Sequence, residues 1–508
     1  MSKKFYVTTP LYYVNAKAHI GHAYTTVIAD CAARFARLLG RDVFFLTGTD
    51  EHGEKIKKSA QDSGKTTIEF IDGVVEEFKK LWSKLNISYD HFIRTTDKQH
   101  CETVKLAIKK IYDKGDIYKE KYQGLYCLPC EAFWTKEQVK DTEGLCPDCG
   151  RALELIEEEN YFFKLSKYQS WLLEHLSKNP DFIKPKSRFN EIKSFLEKNT
   201  LQDLCISRPA KRLTWGIEFP EDVDFVVYVW FDALLNYISA PGYSVNDMQF
   251  NNIWPADIHF MAKDIIRHHA VFWPIMLKAL ELEVPKTVFA HGWWKFDNQK
   301  MSKSLGNVVD PFDVIEQVGV DALRFFLLRE IPVGLDGNFS WQAIFTRYNS
   351  DLANDFGNLV YRTLNMSEKY FDGIVTGADV PIPENFAQVL SSMKDKYIEC
   401  FTACEFSVGI ESVYTFISVL NKYIEDSKPW TMSKEGRTDE LNNFLYAICE
   451  GIRICTVCLW PVMPQTCESV MHQLGIPADF SVNDIDWGIV KDYKIQKEQP
   501  LFPRIDVN

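Results

Sequence analysis

The 508 residues are 46% hydrophobic and 25% charged, an ordinary globular composition at a length that suggests about three domains and excludes disorder, collagen-like repeats and peptide scaffolds. A surplus of 70 acidic over 58 basic side chains, net −12, argues against a protein that coats nucleic acid by bulk electrostatics. The N-terminal MSKKFYVTTP lacks a signal peptide's apolar core and no run of about 18 apolar residues follows, so a cytoplasmic protein without a membrane segment is expected, its 13 cysteines being thiols or metal ligands rather than disulfides.

Residues 4–8 and 43–47 read as short β-rich strands, and Ala23–Leu39 between them as a helix ended by Gly40. Strand, helix and strand at this spacing form a right-handed βαβ unit in a parallel sheet. Its ligands gather beyond the C-terminal strand ends, where 8–22 and 48–53 fall. From 116 to 225 the texture changes to cysteine pairs, Glu/Lys-rich stretches and isolated aromatics, which points to an insertion. β-like runs resume at Phe225–Trp230 and Val288–His291, and beyond Thr346 long helices are expected, among them 350–370, 386–399 and 439–460.

Three motifs carry chemistry. His19-Ile20-Gly21-His22 stands where the first strand's loop enters the helix. Two imidazole donors beside helix N–H groups suit phosphate, and glycine leaves room for a base. Lys300-Met301-Ser302-Lys303-Ser304 is a Gly/Asn-flanked loop with two cations, suited to charge developing on a leaving pyrophosphate. Cys127-x-x-Cys130, 15 residues and Cys146-x-x-Cys149 give two knuckles and four sulfur ligands, the closed set of one structural Zn²⁺ whose binding is coupled to folding. Pro129, Pro147, Gly144 and Gly150 supply the turns.

The histidine and lysine motifs resemble the two signatures of class I aminoacyl-tRNA synthetases. Segments Tyr6–Asn15, Leu46–Gly53, Ile206–Pro209, Trp215–Ile217, Tyr228–Ala233 and His268–Pro274 resemble the methionyl branch of that family along essentially the whole chain. The resemblance implies a Rossmann-type α/β catalytic domain with a parallel sheet, a zinc-knuckle insertion and a C-terminal helical bundle. The expected divisions are 1–115 and 226–290 for the two catalytic halves, 116–225 for the insertion, 291–345 for the lysine-loop region and 346–508 for an anticodon-binding domain.

The implied activity joins L-methionine to ATP as methionyl-adenylate and then to tRNA(Met), for translation including initiation. The implied catalytic residues are His19, His22, Lys300 and Lys303, with Gly21, Asp264 and His291 also at ATP and Mg²⁺ accompanying the nucleotide. Leu11, Tyr13, Trp230, Ala233, Tyr237, His269 and Trp273 are implied around the methionine side chain, an apolar and polarisable group best read by rings and shape, with Asp50 on its ammonium. Asn358, Arg362 and Trp430 match anticodon readers, supplying base-edge hydrogen bonds and a stacking surface. Ala262 stands where the family usually has glycine, which puts the backbone approach to the nucleotide there in question. Isoleucine, valine and leucine enzymes usually carry an editing insertion larger than these 110 residues. A catalytically silent RNA-binding relative would lose the histidines or lysines, and both motifs are intact. The chain stops at Asn508 without the C-terminal module of some relatives, so a monomer is expected.

The acidic charge is uneven. Residues 341–508 hold 14 basic and 23 acidic side chains, net −9, leaving −3 for 1–340, so the helical domain is expected to read RNA through a few residues rather than a broad positive field. Phe182–Trp215 instead carries Lys184, Lys186, Arg188, Lys193, Lys198, Arg208, Lys211 and Arg212 against Glu191, Glu197 and Asp203. That stretch is either a solvated helix face or a surface for the acceptor end of tRNA.

Overall fold

The structure is a computed structural model and describes residues 4–15, 17–127, 132–134, 139–142, 144–147, 150–296, 299–300, 309–377 and 380–506. Cys130, Cys149 and Lys303 lie outside the described residues, and Lys300 is described by its backbone alone. The chain forms two compact units, one of Met1–Ala18, Phe44–Lys80 and Tyr89–His291, the other of His19–Val43, Leu81–Ser88 and Gly292–Asn508.

The first unit is built on a parallel sheet in the order Tyr12–Tyr13, Val43–Asp50, Phe5–Thr8, Ile258–Ala262, Thr287–His291 and Ile183–Lys184, with His91–Arg94 also paired to Val43–Asp50. Four of these strands, Tyr12–Tyr13, His91–Arg94, Ile258–Ala262 and Ile183–Lys184, were not singled out from the sequence. Ile258–Ala262 is short and carries a histidine in its middle, and Ile183–Lys184 comes from within the stretch expected to be an insertion. Helix Lys98–Asp113 buries His100, Thr103, Val104, Ala107, Ile108 and Ile111, one stripe at helical spacing. Phe163, Phe231, Trp273 and Met276 belong to the apolar core. Strand Ile117–Cys127 pairs antiparallel with Ala132–Trp134 and with Glu154–Phe163, which pairs in turn with Leu204–Cys205.

The run expected as a strand over Phe225–Trp230 divides in two. Phe225–Val227 is a strand, antiparallel to Ser207–Pro209 and outside the parallel sheet. From Val229 the chain is helical, and the Asp232 N–H closes the first turn on the Tyr228 carbonyl at 3.2 Å. An unbroken apolar run fits a buried helix as well as a buried strand, and here the helix wins from Val229 onward.

In the second unit, helix Ile20–Leu38 starts earlier than Ala23 because His19 caps it, and it is buried on nearly every side. Phe35 packs on Phe401 and Tyr397, ring centroids 5.3 and 5.7 Å apart. Helices Glu384–Thr402 and Phe406–Ser427 bury one face each and pack together, and Phe406–Ser427 also packs on Val320–Arg329 and Thr438–Leu459, which are buried all round over 321–328 and 444–459. The helix expected over 350–370 is a π-helical segment, Tyr348–Gly357, running into the α-helix Asn358–Phe371. Arg324, fully buried, donates to Asp30 at 2.7 Å and to the carbonyls of Leu85, Pro461 and Val462 at 3.1, 3.1 and 2.9 Å. One guanidinium thus ties four segments of the unit together. Among the described residues no helix is long and apolar enough to cross a membrane.

Candidate active site

All eight residues expected around an amino acid lie in the first unit. The first strand is interrupted after Thr8 by Thr9-Pro10-Leu11. Tyr12–Tyr13 then pairs with the end of Val43–Asp50, in a register that sets Tyr13 opposite Asp50. Asp50 is 8% exposed and Tyr13 and Leu11 are half-buried, so a carboxylate and two apolar side chains gather at the C-terminal strand ends. The next two residues pin this corner. Glu51 accepts from Thr49, Thr96 and Arg94 at 2.7, 2.5 and 2.7 Å, its N–H donates to Thr95 at 2.9 Å and its carbonyl accepts from the Trp215 indole at 2.6 Å. His52 Nδ1 lies 3.1 Å from Asp232 Oδ2.

Trp230, Ala233 and Tyr237 follow the i, i+3, i+7 spacing of one face of the helical stretch from Val229. A π-helical turn, His268–Phe272, leads into helix Trp273–Leu280 and carries His268 and His269. The hydrogen bonds fix the imidazoles. His269 Nδ1 meets the Ile265 carbonyl at 3.0 Å and so bears the proton, leaving Nε2 to accept from the Tyr237 hydroxyl at 2.8 Å. The Trp273 indole can only donate, so at 3.2 Å it makes His259 Nε2 the acceptor, and His259 Nδ1 donates to Thr8, its cross-strand partner, at 2.8 Å. Tyr6 donates to the Tyr237 carbonyl at 2.9 Å. Trp230 stacks on His268 with centroids 3.8 Å apart.

Burial keeps these rings uncharged. It takes His269 down to about 4 and His268, with His269 and Arg267 beside it, to about 3, and it lowers His259 strongly. The result is a wall of neutral rings in which His259 and His269 are hydrogen-bonded internally and His268 is stacked on Trp230 with its Nδ1 unpartnered among the described residues, suited to a flexible apolar side chain, beside one carboxylate suited to an ammonium. His52, Asp232, His259 and His268 were missed from the sequence. The adjacent His268-His269 pair was the available signal, whereas the Thr8–His259 and His52–Asp232 partnerships join residues 251 and 180 positions apart.

The residues expected at a nucleotide fall in both units. In the first, His291 ends its strand opposite Ala262, and Asp264 follows Ala262 in a tight turn. Ala262 has φ −74°, ψ 151°, extended backbone open to any residue, so alanine in place of glycine brings no strain there. In the second unit His19 and His22 form a reciprocal cap. His19 Nδ1 accepts from the Gly21 N–H and His22 Nδ1 from the His19 N–H, each at 3.1 Å, with the rings stacked at 3.8 Å. Both protons therefore sit on Nε2. A Cβ on Gly21 would come within 2.9 Å of the His19 ring, so glycine is required first by the cap, a reason the sequence did not reveal.

In the helical unit Asn358 is exposed one turn before Arg362. Arg362 pairs with Glu425 at 2.7 Å near the end of Phe406–Ser427, and Trp430, 41% exposed, follows in the short helix Pro429–Lys434. The Asn421 amide donates to the Asp355 carbonyl at 3.0 Å, so Phe406–Ser427 is also tied to the π-helical segment Tyr348–Gly357. The basic stretch is less available than its charge suggests. Arg208 is buried over the Tyr228 ring at 4.5 Å, Arg212 pairs with Glu158 at 3.0 Å, and Arg188 and Lys193 meet Glu191 and Glu197. Lys186, Lys198 and Lys211 remain exposed. Cys127 ends its strand and Cys146 opens a turn closed by the Gly150 N–H on its carbonyl at 2.8 Å. Both side chains are buried, and Gly144 and Gly150 take positive φ.

Two family models match the sequence: "tRNA synthetases class I (M)" over 5–154 and 149–364, and "Anticodon-binding domain of tRNA ligase" over 384–499. The chain is 48% identical over its whole length to the methionine–tRNA ligase of Caldanaerobacter subterraneus subsp. tengcongensis, covering 80% of that protein, and 44% identical over 99% of its length to that of Thermotoga maritima, again covering 80%. Its structure superposes on Mycobacterium tuberculosis methionyl-tRNA synthetase in complex with methionyl-adenylate with a TM-score of 0.93 and 39% identity, covering 99% of this chain and all of that one.

Proposed function

The chain belongs to the methionine–tRNA ligases of class I, and from that premise we propose which of its residues perform each step. The activity is ATP-dependent ligation. The methionine carboxylate attacks the α-phosphorus of ATP, a C(O)–O–P bond forms as the bond to pyrophosphate breaks, and the methionyl group then passes from AMP to tRNA. Such a displacement needs positioning and charge stabilisation, not a protein nucleophile.

In this reading Asp50 pairs with the methionine ammonium, and the side chain lies among Leu11, Tyr13, Trp230, Ala233, Tyr237, His269 and Trp273. The observation that carries it is the wall of neutral rings, with Tyr237 hydrogen-bonded to His269 and Trp273 to His259, beside a strand-end carboxylate. Because the Tyr237 proton is engaged by His269, the thioether is read by dispersion and shape. The Nε2–H groups of His19 and His22 donate to phosphate oxygens, Gly21 permits the cap that orients them, and Asp264 and His291 act on the nucleotide. Lys300 and Lys303 stabilise departing pyrophosphate. Mg²⁺ bound with ATP would neutralise phosphate charge.

The same proposal gives Asn358, Arg362 and Trp430 the anticodon, with Trp430 as the stacking surface. It divides the chain into catalytic halves 1–115 and 226–290, insertion 116–225, lysine-loop region 291–345 and anticodon domain 346–508. Cys127, Cys130, Cys146 and Cys149 would hold one structural Zn²⁺. The buried side chains of Cys127 and Cys146 and the closed turn at Cys146 suit that donor set. A cytoplasmic monomer is part of the same proposal.

Exchange of labelled pyrophosphate into ATP tests the assignment. It should depend on methionine in a panel of apolar amino acids, and His22→Ala should slow it about 100-fold, the loss expected for one preorganised donor, with the KM for methionine little changed. Undiminished exchange in that variant would remove His22 from the site.

A further inference from the structure

Asp50, Glu51 and His52 are consecutive, yet their side chains go to different partners. Glu51 is held by the His91–Arg94 strand and the turn after it, through Arg94, Thr95 and Thr96. His52, 6% exposed, reaches Asp232 at 3.1 Å, and Asp232 is fully buried in the turn of helix between Trp230 and Ala233. This contact is a direct side-chain bond between the segment bearing the ammonium carboxylate and the helix bearing the side-chain wall. Burial raises the Asp232 carboxyl, opposed by His52. Its other oxygen, Oδ1, is buried without a hydrogen bond among the described residues. A carboxylate so incompletely satisfied is a poor choice for stability alone, because a buried charge is expensive unless fully partnered, and such a group in a native fold calls for a functional reason.

We propose that His52 and Asp232 are a positioning pair that holds Asp50 and the Trp230 helix at the spacing methionine requires, so that ammonium and thioether are engaged together. The proposal rests on the pocket reading above and deepens it. Neither residue touches the substrate; His52 Nδ1–H donates to the carboxylate and thereby sets the distance between two substrate-binding elements. Disrupting the pair loosens capture of methionine while leaving the nucleotide side intact, which is how a supporting contact differs from a reacting group.

The test is a steady-state comparison of Asp232→Leu, Asp232→Asn, His52→Ala and the Asp232→Leu/His52→Ala double variant in pyrophosphate exchange, with melting temperatures. Leucine removes the bond at similar volume, and asparagine keeps an acceptor for His52. The expected result is a KM for methionine raised about 10-fold or more in Asp232→Leu and His52→Ala, with kcat and the KM for ATP within about twofold. Asp232→Asn should return to within about threefold of the parent, and the double variant should be no worse than the worse single one, as for residues acting as one unit. The melting temperature should not fall in Asp232→Leu or the double variant, which remove the buried carboxyl, whereas His52→Ala, which leaves that carboxyl buried without its partner, should lower it. Singles whose effects multiply, an Asp232→Asn as impaired as Asp232→Leu, or both KM values rising together with a lower melting temperature would overturn the pair's role. Should Asp232→Leu fail to fold, His52→Ala against His52→Asn reads the same bond. Asp50→Ala separates the two levels: an unchanged KM for methionine there would refute the pocket reading itself, whereas a raised one with normal His52 and Asp232 variants would refute only the pair.

Discussion

Around Trp273 the protein buries imidazoles as neutral rings, whereas around Arg324 it buries ions. His259, His268 and His269 lose their charge to burial; His259 and His269 satisfy their nitrogens through Thr8, Trp273, Tyr237 and the Ile265 carbonyl, while His268 stacks on Trp230 with its Nδ1 unpartnered among the described residues. In the helical unit Asp30 is held between Arg34 and Arg324, and Glu450 binds Arg453 at 2.6 Å. A pocket for an apolar thioether has to present no net charge that would attract water, so neutralisation serves it. A unit that must hold several helices together uses charge-assisted bonds, which are strong and directional. The two solutions respond differently to protons, and this gives the sharpest means of separating them.

The largest expected effect is therefore an acid response that divides the units. His100, His268 and His269 sit at about 3, 3 and 4, lowered first by burial, against about 6.5 in an unfolded chain. Between about 6.5 and 4 the unfolded state binds protons that the folded state refuses, so stability falls with pH by a few kcal/mol per residue. Burial alone would raise Asp30, but Arg34, Arg324 and the Ser88 N–H and hydroxyl outweigh it and hold the carboxyl at about 2. Its contribution, about 2 kcal/mol, is present above about 4 and is lost only as pH falls from there towards 2. Hydrogen exchange at pH 5 against pH 7 should show amides of Ile258–Ala262 and Thr287–His291 losing protection while those of Ile20–Leu38 keep it. Equal loss in both units would break the contrast.

A smaller effect tests the pocket's hydrogen-bond chain. Tyr237→Phe removes the donor to His269 Nε2 and leaves a buried acceptor unmet, a loss of about 1 to 3 kcal/mol. The KM for methionine should rise about 10-fold with the KM for ATP unchanged, since Tyr237 and His269 form part of the side-chain wall. No change would mean that the ring wall tolerates an unsatisfied imidazole and that its fixed tautomers are incidental.

What the sequence made legible follows the range of the interactions. Strand ends, the His19–His22 motif, Asp50, Trp230 and Trp273 are signalled within short windows or by family resemblance. The Trp230 segment was read as a strand because its apolar run has no periodicity that separates strand from helix. His52–Asp232, Thr8–His259 and Asp30–Arg324 depend on the sheet order and on helix packing, 180 or more positions apart, and no local pattern encodes them. The net charge of 182–215 overstates what its surface offers, because Arg208 is buried over Tyr228 and Arg212 pairs with Glu158, while Lys186, Lys198 and Lys211 stay exposed.

The smallest effect lies at the exposed end of the comparison, which involves neither buried neutral rings nor buried ions. Trp430 is 41% exposed beside the Arg362–Glu425 pair in a region of net negative charge. With little positive field to attract phosphates, affinity there has to come from base stacking and edge contacts, and one aromatic–base stack is worth about 1 to 3 kcal/mol. Trp430→Ala should lower kcat/KM for tRNA about 10-fold while pyrophosphate exchange, which uses no tRNA, stays at the parent level. Stability should fall by about 1 to 2 kcal/mol, because more than half of the residue is buried. Trp430→Phe should recover most of the loss, since a smaller aromatic face still stacks. The salt dependence of tRNA charging should be the same in the parent and in Trp430→Ala, because no cation is removed. A steeper or shallower slope in the variant would show that the indole acts by placing Arg362 or a nearby lysine on phosphate rather than by stacking on a base.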